Sequence, residues 1–70
     1  MVVNDLTQRE REVLALVATG MSAKEVAREL GIAPRTVERH IDHIRLKTRT
    51  RNRSHLVAFA ISEGLISESV

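Results

Sequence analysis

SAKEVARELGIAPRTVERHIDHI, the stretch from Ser22 to Ile44, reads as a short helix, a tight turn at Gly31 and a second helix. Ser22 and Glu25 stand at the spacing of a capping box, in which each side chain satisfies the other residue's backbone N–H. Val26, Ala27 and Leu30 then share one face, and Gly31 ends the helix. Pro34 suits the first turn of the next helix, where its missing N–H costs nothing. Ala33 before it is a poor N-cap, weaker than Ser by ~1 kcal/mol. At about 100° per residue, Val37, Ile41, Ile44 and Thr48 form one stripe. Arg35, Arg39, Asp42, His43 and Leu46 lie opposite, with Thr36 and Glu38 on the flanks. Two short helices meeting at a glycine-containing turn, the second one basic, form the arrangement that sets a helix into the major groove of duplex DNA.

The flanking sequence extends this pair to four helices. Upstream, Thr7 and Glu10 form another capping box, Leu6 can staple the start, and Val13, Leu14 and Val17 follow at helical spacing up to a C-cap at Gly20. Downstream, the basic joint Arg49-Thr50-Arg51-Asn52-Arg53 leads into a fourth helix, capped by Asn52 and spanning roughly residues 53–63, with Gly64 as its C-cap. Leu65 and Ile66 are expected to fold back onto the core. The predicted organisation is a flexible N-terminus over residues 1–5, one all-α four-helix domain over 6–66, and a frayed end over 67–70.

Composition narrows the ligand. In 70 residues the apolar fraction is 43%, which suits a small globular domain rather than a disordered chain. Phe59 is the sole aromatic residue, so the chain lacks the platforms on which single-stranded nucleic acids stack. There is no cysteine for a disulfide or a thiolate zinc site. The apolar run from Leu56 to Ile61 is far too short to span a membrane. No basic segment followed by an apolar one opens the chain, so no signal peptide is expected and the default location is the cytoplasm. The net charge of +2 conceals an asymmetry. Residues 35–53 carry Arg35, Arg39, Arg45, Lys47, Arg49, Arg51 and Arg53 against Glu38 and Asp42, a balance of +5, and the remainder sums to −3. Such a dipolar distribution favours one face for a polyanion.

The sequence resembles the DNA-binding domain of the LuxR-type helix-turn-helix family of bacterial response regulators and quorum-sensing regulators. The resemblance is carried by Leu6-Thr7, Arg9 to Leu14, Ala18 to Ser22 and Lys24 to Ala27. It continues through Leu30-Gly31-Ile32, Thr36-Val37, His40-Ile41, Ile44, Lys47, Asn52-Arg53 and Gly64-Leu65-Ile66, with no insertions. It implies four helices, the third as recognition helix and the fourth as dimerisation helix. It also implies a separate regulatory domain, a place on the bacterial nucleoid and RNA polymerase as a further partner. The chain departs from the family pattern where Glu38 replaces a common basic residue, Ala33 a common serine and Thr50 a usual apolar residue.

Arg39 points most directly away from the apolar stripe and is the first candidate for a base contact, since a guanidinium forks onto guanine O6 and N7. Arg35 and His43 share its face. Glu38 and Asp42 either accept from cytosine N4 or repel phosphates and so exclude wrong registers. Thr36, at the helix start, and Lys24, at the start of the preceding helix, are candidate phosphate contacts. So are Lys47, Arg49, Arg51 and Arg53, although Arg53 has the alternative of capping carbonyls or pairing with an acid inside the domain. His40 and His43 lack the further ligands of a closed zinc site, and His40 reads as a core-edge residue. No cofactor is expected, and scattered carboxylates without a phosphate-binding loop or a pocket argue against an enzyme.

The fourth helix is apolar all round, which a helix on the outside of a small domain cannot bury alone. Leu56 and Ala60 are expected to complete the core, leaving Val57, Ala58 and Ile61 for a homodimer interface. The expected function is a sequence-specific, dimeric regulator of transcription that binds an inverted repeat in double-stranded DNA. Two alternatives stay open: a sigma-factor-like C-terminal helix-turn-helix, and an interaction module that inhibits a related regulator by heterodimerising. A packing face for a regulatory domain, or a strand over the same run, would also account for the apolar surface.

Overall fold

The computed structural model describes residues 6–64, which form four helices in the order α1 (Gln8–Ala18), α2 (Ala23–Leu30), α3 (Pro34–Thr48) and α4 (Arg53–Ser62). The expected behaviour of residues 1–5, of Leu65 and Ile66, and of residues 67–70 lies outside the described residues. The run around Phe59 is helical, which removes the strand alternative.

Local chemistry sets the helix starts. Thr7 Oγ1 accepts from the Glu10 N–H at 3.0 Å, and Glu10 Oε1 accepts from the Thr7 N–H at 3.0 Å. Ser22 and Glu25 repeat the exchange at 3.2 and 2.8 Å. Each reciprocal cap satisfies two donors that the helix itself leaves orphaned. Asn52 Oδ1 accepts from the His55 N–H at 2.9 Å and opens α4. α3 begins at Ala33-Pro34 with no side-chain cap.

The helix ends follow a common pattern. After α1, α2 and α3, an N–H bonds the carbonyl five residues back: Met21 to Leu16, Ile32 to Ala27 and Thr50 to Arg45. The residue before each of these donors takes a left-handed conformation, which Gly20 and Gly31 adopt without a side-chain clash. Two boundaries differ slightly from the sequence reading. α1 stops at Ala18, because Thr19 caps it through its N–H and donates its hydroxyl to the Leu16 carbonyl at 2.6 Å; Gly20 makes the turn beyond. α4 stops at Ser62, whose hydroxyl reaches the Phe59 carbonyl at 3.0 Å, and Glu63 rather than Gly64 occupies the cap.

The core is aliphatic. Leu6, Val13, Leu14, Val17, Val26, Ala27, Val37, Ile44, Leu56 and Ala60 are buried, with Leu16, Met21, Leu30, Ile32 and Ile41 partly buried against them. α2 and α3 join through the short Gly31-Ile32-Ala33 turn, α1 packs on the other three helices, and α4 closes the domain through Leu56 and Ala60. Leu56 is wholly buried, so Leu56→Ala should lower unfolding stability by about 2–5 kcal/mol. A urea titration followed by circular dichroism checks this, and a loss under ~1 kcal/mol would show that α4 is not a structural part of the core.

Candidate nucleic-acid interface

α3 is held from one side. Val37 and Ile44 are wholly buried, Thr48 is buried and Ile41 is half-buried. On the opposite side Arg35, Glu38, Arg39, Asp42, His43 and Leu46 are exposed, and His40 and Thr36 are half-buried at the edges. The face expected to meet bases is therefore assembled on one rigid helix. At the start of that helix Thr36 and Val37 both turn their N–H groups to the Ala33 carbonyl, at 2.9 and 3.1 Å. Any phosphate contact by Thr36 thus rests on its hydroxyl. Lys24 is exposed near the start of α2.

A buried carboxylate anchors the far end of α3. Glu10 is only 4% exposed, and its Oε1 accepts from Lys47 Nζ at 2.7 Å as well as from the Thr7 N–H. Burial pushes the Glu10 carboxyl pKa up. The hydrogen bonds from Lys47 and Thr7, together with the charges of Lys47 and His43, outweigh burial and hold it below the ordinary carboxylate value. Glu25 is lowered too, first by the Ser22 N–H and then by the Ser22 side chain.

The basic joint after α3 is tightly bonded. Thr48 Oγ1 donates to the Ile44 carbonyl at 2.8 Å, so the 3.0 Å contact between the Thr48 and Thr50 hydroxyls has Thr50 as donor. Both threonines are buried where a polar group needs a partner, and each supplies the other's. Between them Arg49 is left-handed, at φ 58°, the sole non-glycine residue with positive φ among those described. The Arg45 guanidinium donates to the Arg51 carbonyl, and the Arg51 N–H donates to His55 Nδ1 at 3.1 Å. Arg49 and Arg51 keep exposed side chains.

Two of the expected phosphate contacts also have partners within the domain. The Arg53 guanidinium donates to the Met21 carbonyl, tying the start of α4 to the joint between α1 and α2. Lys47 is engaged by Glu10. The carbonyl-capping alternative for Arg53 was legible; the partner of Lys47 was not, because Glu10 shows in the sequence only as a capping-box residue. The structural role of Arg45 was also missed, and no local pattern announces it.

On the outer side of α4, Val57 and Ile61 are half-buried and Ala58 is exposed. Among the described residues no group of three or more His, Cys, Asp or Glu side chains is placed to hold a metal ion, and no helix is long and apolar enough to cross a membrane.

A compact helix-turn-helix with a bare, arginine-bearing second helix defines a DNA-binding domain. Residues 4–60 match the family described as bacterial regulatory proteins, luxR family, and the chain belongs to that family. It is similar to the probable transcriptional regulator ycf29 of Cyanophora paradoxa, 41% identical over 63 residues that make up 90% of this chain and 30% of the relative. It is 41% identical to the transcriptional regulatory protein FixJ of Rhizobium meliloti over 59 residues, 84% of this chain and 29% of FixJ. The transcriptional activator protein LuxR of Aliivibrio fischeri is 40% identical over 63 residues, 90% of this chain and 25% of that protein. The chain thus spans between a quarter and a third of the length of these relatives. The matched family and the names of these relatives are those of bacterial regulatory proteins acting on transcription.

The Glu10–Lys47 contact sets a pH dependence. A carboxyl whose folded pKa lies below its unfolded value stabilises the fold above the unfolded pKa, about 4.3, and loses that contribution as pH falls through the folded value. Urea midpoints should therefore fall on acidification below about pH 4.5. Glu10→Gln, which keeps an acceptor but no charge, should be about 1 kcal/mol less stable at neutral pH and less sensitive to acid. Equal acid sensitivity in both proteins would move the origin to other carboxylates, Glu25 first.

Proposed function

We propose that the chain binds an inverted-repeat site in double-stranded DNA as a homodimer and so regulates transcription. The observation that carries this reading is the one-sided burial of α3, which leaves Arg35, Arg39 and His43 exposed along a single helical face. In this reading Arg39 forks onto a guanine, Arg35 and His43 contact neighbouring bases, and Glu38 and Asp42 accept from cytosine N4. Lys24, Thr36, Arg49 and Arg51 hold the flanking phosphates, while Lys47 and Arg53 chiefly brace the scaffold against Glu10 and the Met21 carbonyl. Val57, Ala58 and Ile61 meet their symmetry mates, which sets two reading helices ~34 Å apart, one turn of DNA. RNA polymerase is a further partner of the assembled complex, in keeping with the transcriptional names of the relatives.

The test is selection from a randomised duplex pool, with fluorescence anisotropy on the enriched sites across a salt series. Salt-sensitive binding to an inverted repeat is expected. Enrichment of a single half-site would remove the dimer, and absence of binding at low salt would remove the DNA reading and favour an interaction module. Arg39→Ala should relax discrimination at one base pair by ~1–3 kcal/mol while sparing non-specific binding. A uniform loss on all duplexes would demote it to a phosphate contact.

Arg49 offers a separate check, because fold and function pull it in opposite directions. Glycine is the residue best suited to its left-handed backbone, so Arg49→Gly should raise stability by about 1 kcal/mol. The same substitution should weaken DNA binding and flatten the salt slope by about one unit. Unchanged binding would show that its side chain does not face the phosphates.

A further inference from the structure

We infer that Leu46 reads a thymine methyl group in the major groove, a specificity contact separate from the polar ones; this rests on α3 being the groove-binding helix. Leu46 is 77% exposed, whereas every other large hydrophobic residue among those described is buried or partly buried. A lone exposed leucine would need no explanation on an ordinary surface. This one stands seven residues after Arg39, four after Asp42 and three after His43, all of them exposed. Seven residues are nearly two full turns, so Leu46 lies almost in line with Arg39, ~10 Å further along the axis. That distance is about three base-pair steps.

The chemistry of the groove selects the ligand. Base pairs present donors and acceptors along the major groove, and their one apolar group is the thymine C5-methyl. A leucine pressed on a guanine or cytosine edge would strip water from polar atoms without replacing their hydrogen bonds. A phosphate gains nothing from it. Against a methyl group both surfaces leave water together. Leu46 also lines a shallow depression of about 300 Å³ with Asp42, Arg45 and Thr50.

Uracil in place of thymine removes the methyl group alone and tests the contact directly. On the selected site, each symmetry-related pair of thymines is replaced in turn by uracil, and the affinities of the unaltered chain and Leu46→Ala are compared by anisotropy. Because Leu46 is exposed, the variant should keep its helical circular dichroism, which is measured alongside. At one thymine pair, uracil should weaken the unaltered chain about fourfold per contact, the effect of exposing one methyl-sized group. Leu46→Ala should be weaker on the thymine site by a similar factor, indifferent to uracil there, and unchanged on random duplex.

Three results would overturn the inference: no thymine position sensitive to uracil, an undiminished uracil effect in Leu46→Ala, or an equal loss by the variant on every duplex. The last would place Leu46 against the backbone or in a protein contact. Failure of the unaltered chain to bind duplex at all would instead sink the DNA reading, so the two failures are distinguishable.

Discussion

A helix that is to lie in a groove must be anchored without using the side that enters it, and in this domain α3 is fixed by a single stripe. Val37 and Ile44 supply the apolar anchor, each worth about 1.5–3 kcal/mol when fully buried, and Thr48 continues the stripe as a hydroxyl. The other elements are arranged around that requirement. α2 meets α3 across a three-residue turn, α1 lies under both, and α4 contributes Leu56 and Ala60 to the same core. With no aromatic residue in the buried set, close packing of small aliphatic groups does all of the filling.

The cations of residues 35–53 divide into two populations. Arg45, Lys47 and Arg53 each meet a partner within the domain: the Arg51 carbonyl, the Glu10 carboxylate and the Met21 carbonyl. Arg35, Arg39, Arg49 and Arg51 expose their side chains. An ion pair with one buried partner, such as Glu10–Lys47, is weak grounds for stability, because desolvation of the carboxylate offsets part of its attraction. Its geometric effect is firmer: it pins the last turn of α3 to the first turn of α1. The luxR-family match covers both residues of this pair.

Much of the fold was legible because its determinants are local. The two capping boxes, Pro34 at the start of α3, Asn52 at the start of α4 and glycine at the ends of α1 and α2 are short-range signals, and helical spacing identified Val37 and Ile44 as buried. The exposed face of α3 followed from the same spacing. What escaped was long-range. Glu10 and Lys47 are 37 residues apart, and nothing in either segment indicates that their side chains meet. The carbonyl chosen by Arg53 is equally distant in the chain, 32 residues away. The helix ends shifted where Thr19 and Ser62 bonded carbonyls three residues back, a competition between side chain and backbone that spacing does not register.

The hydroxyl bridge from Thr48 to Thr50 bears on the entropy of complex formation. An apolar residue at the second position would fill space with little demand on angle, whereas two hydroxyls chained to the Ile44 carbonyl accept a narrow range of orientations. The Arg45 contact to the Arg51 carbonyl and the His55 contact to the Arg51 N–H constrain the next two peptide groups in the same manner. The backbone that carries Arg49 and Arg51 is thus already ordered before any polyanion arrives. Its freedom was surrendered during folding, and only side-chain rotamers remain to be frozen on contact. A disordered basic arm of the same charge would lose both at once. In the proposed complex the segment would therefore act as a preset clamp rather than a tail that must be gathered in.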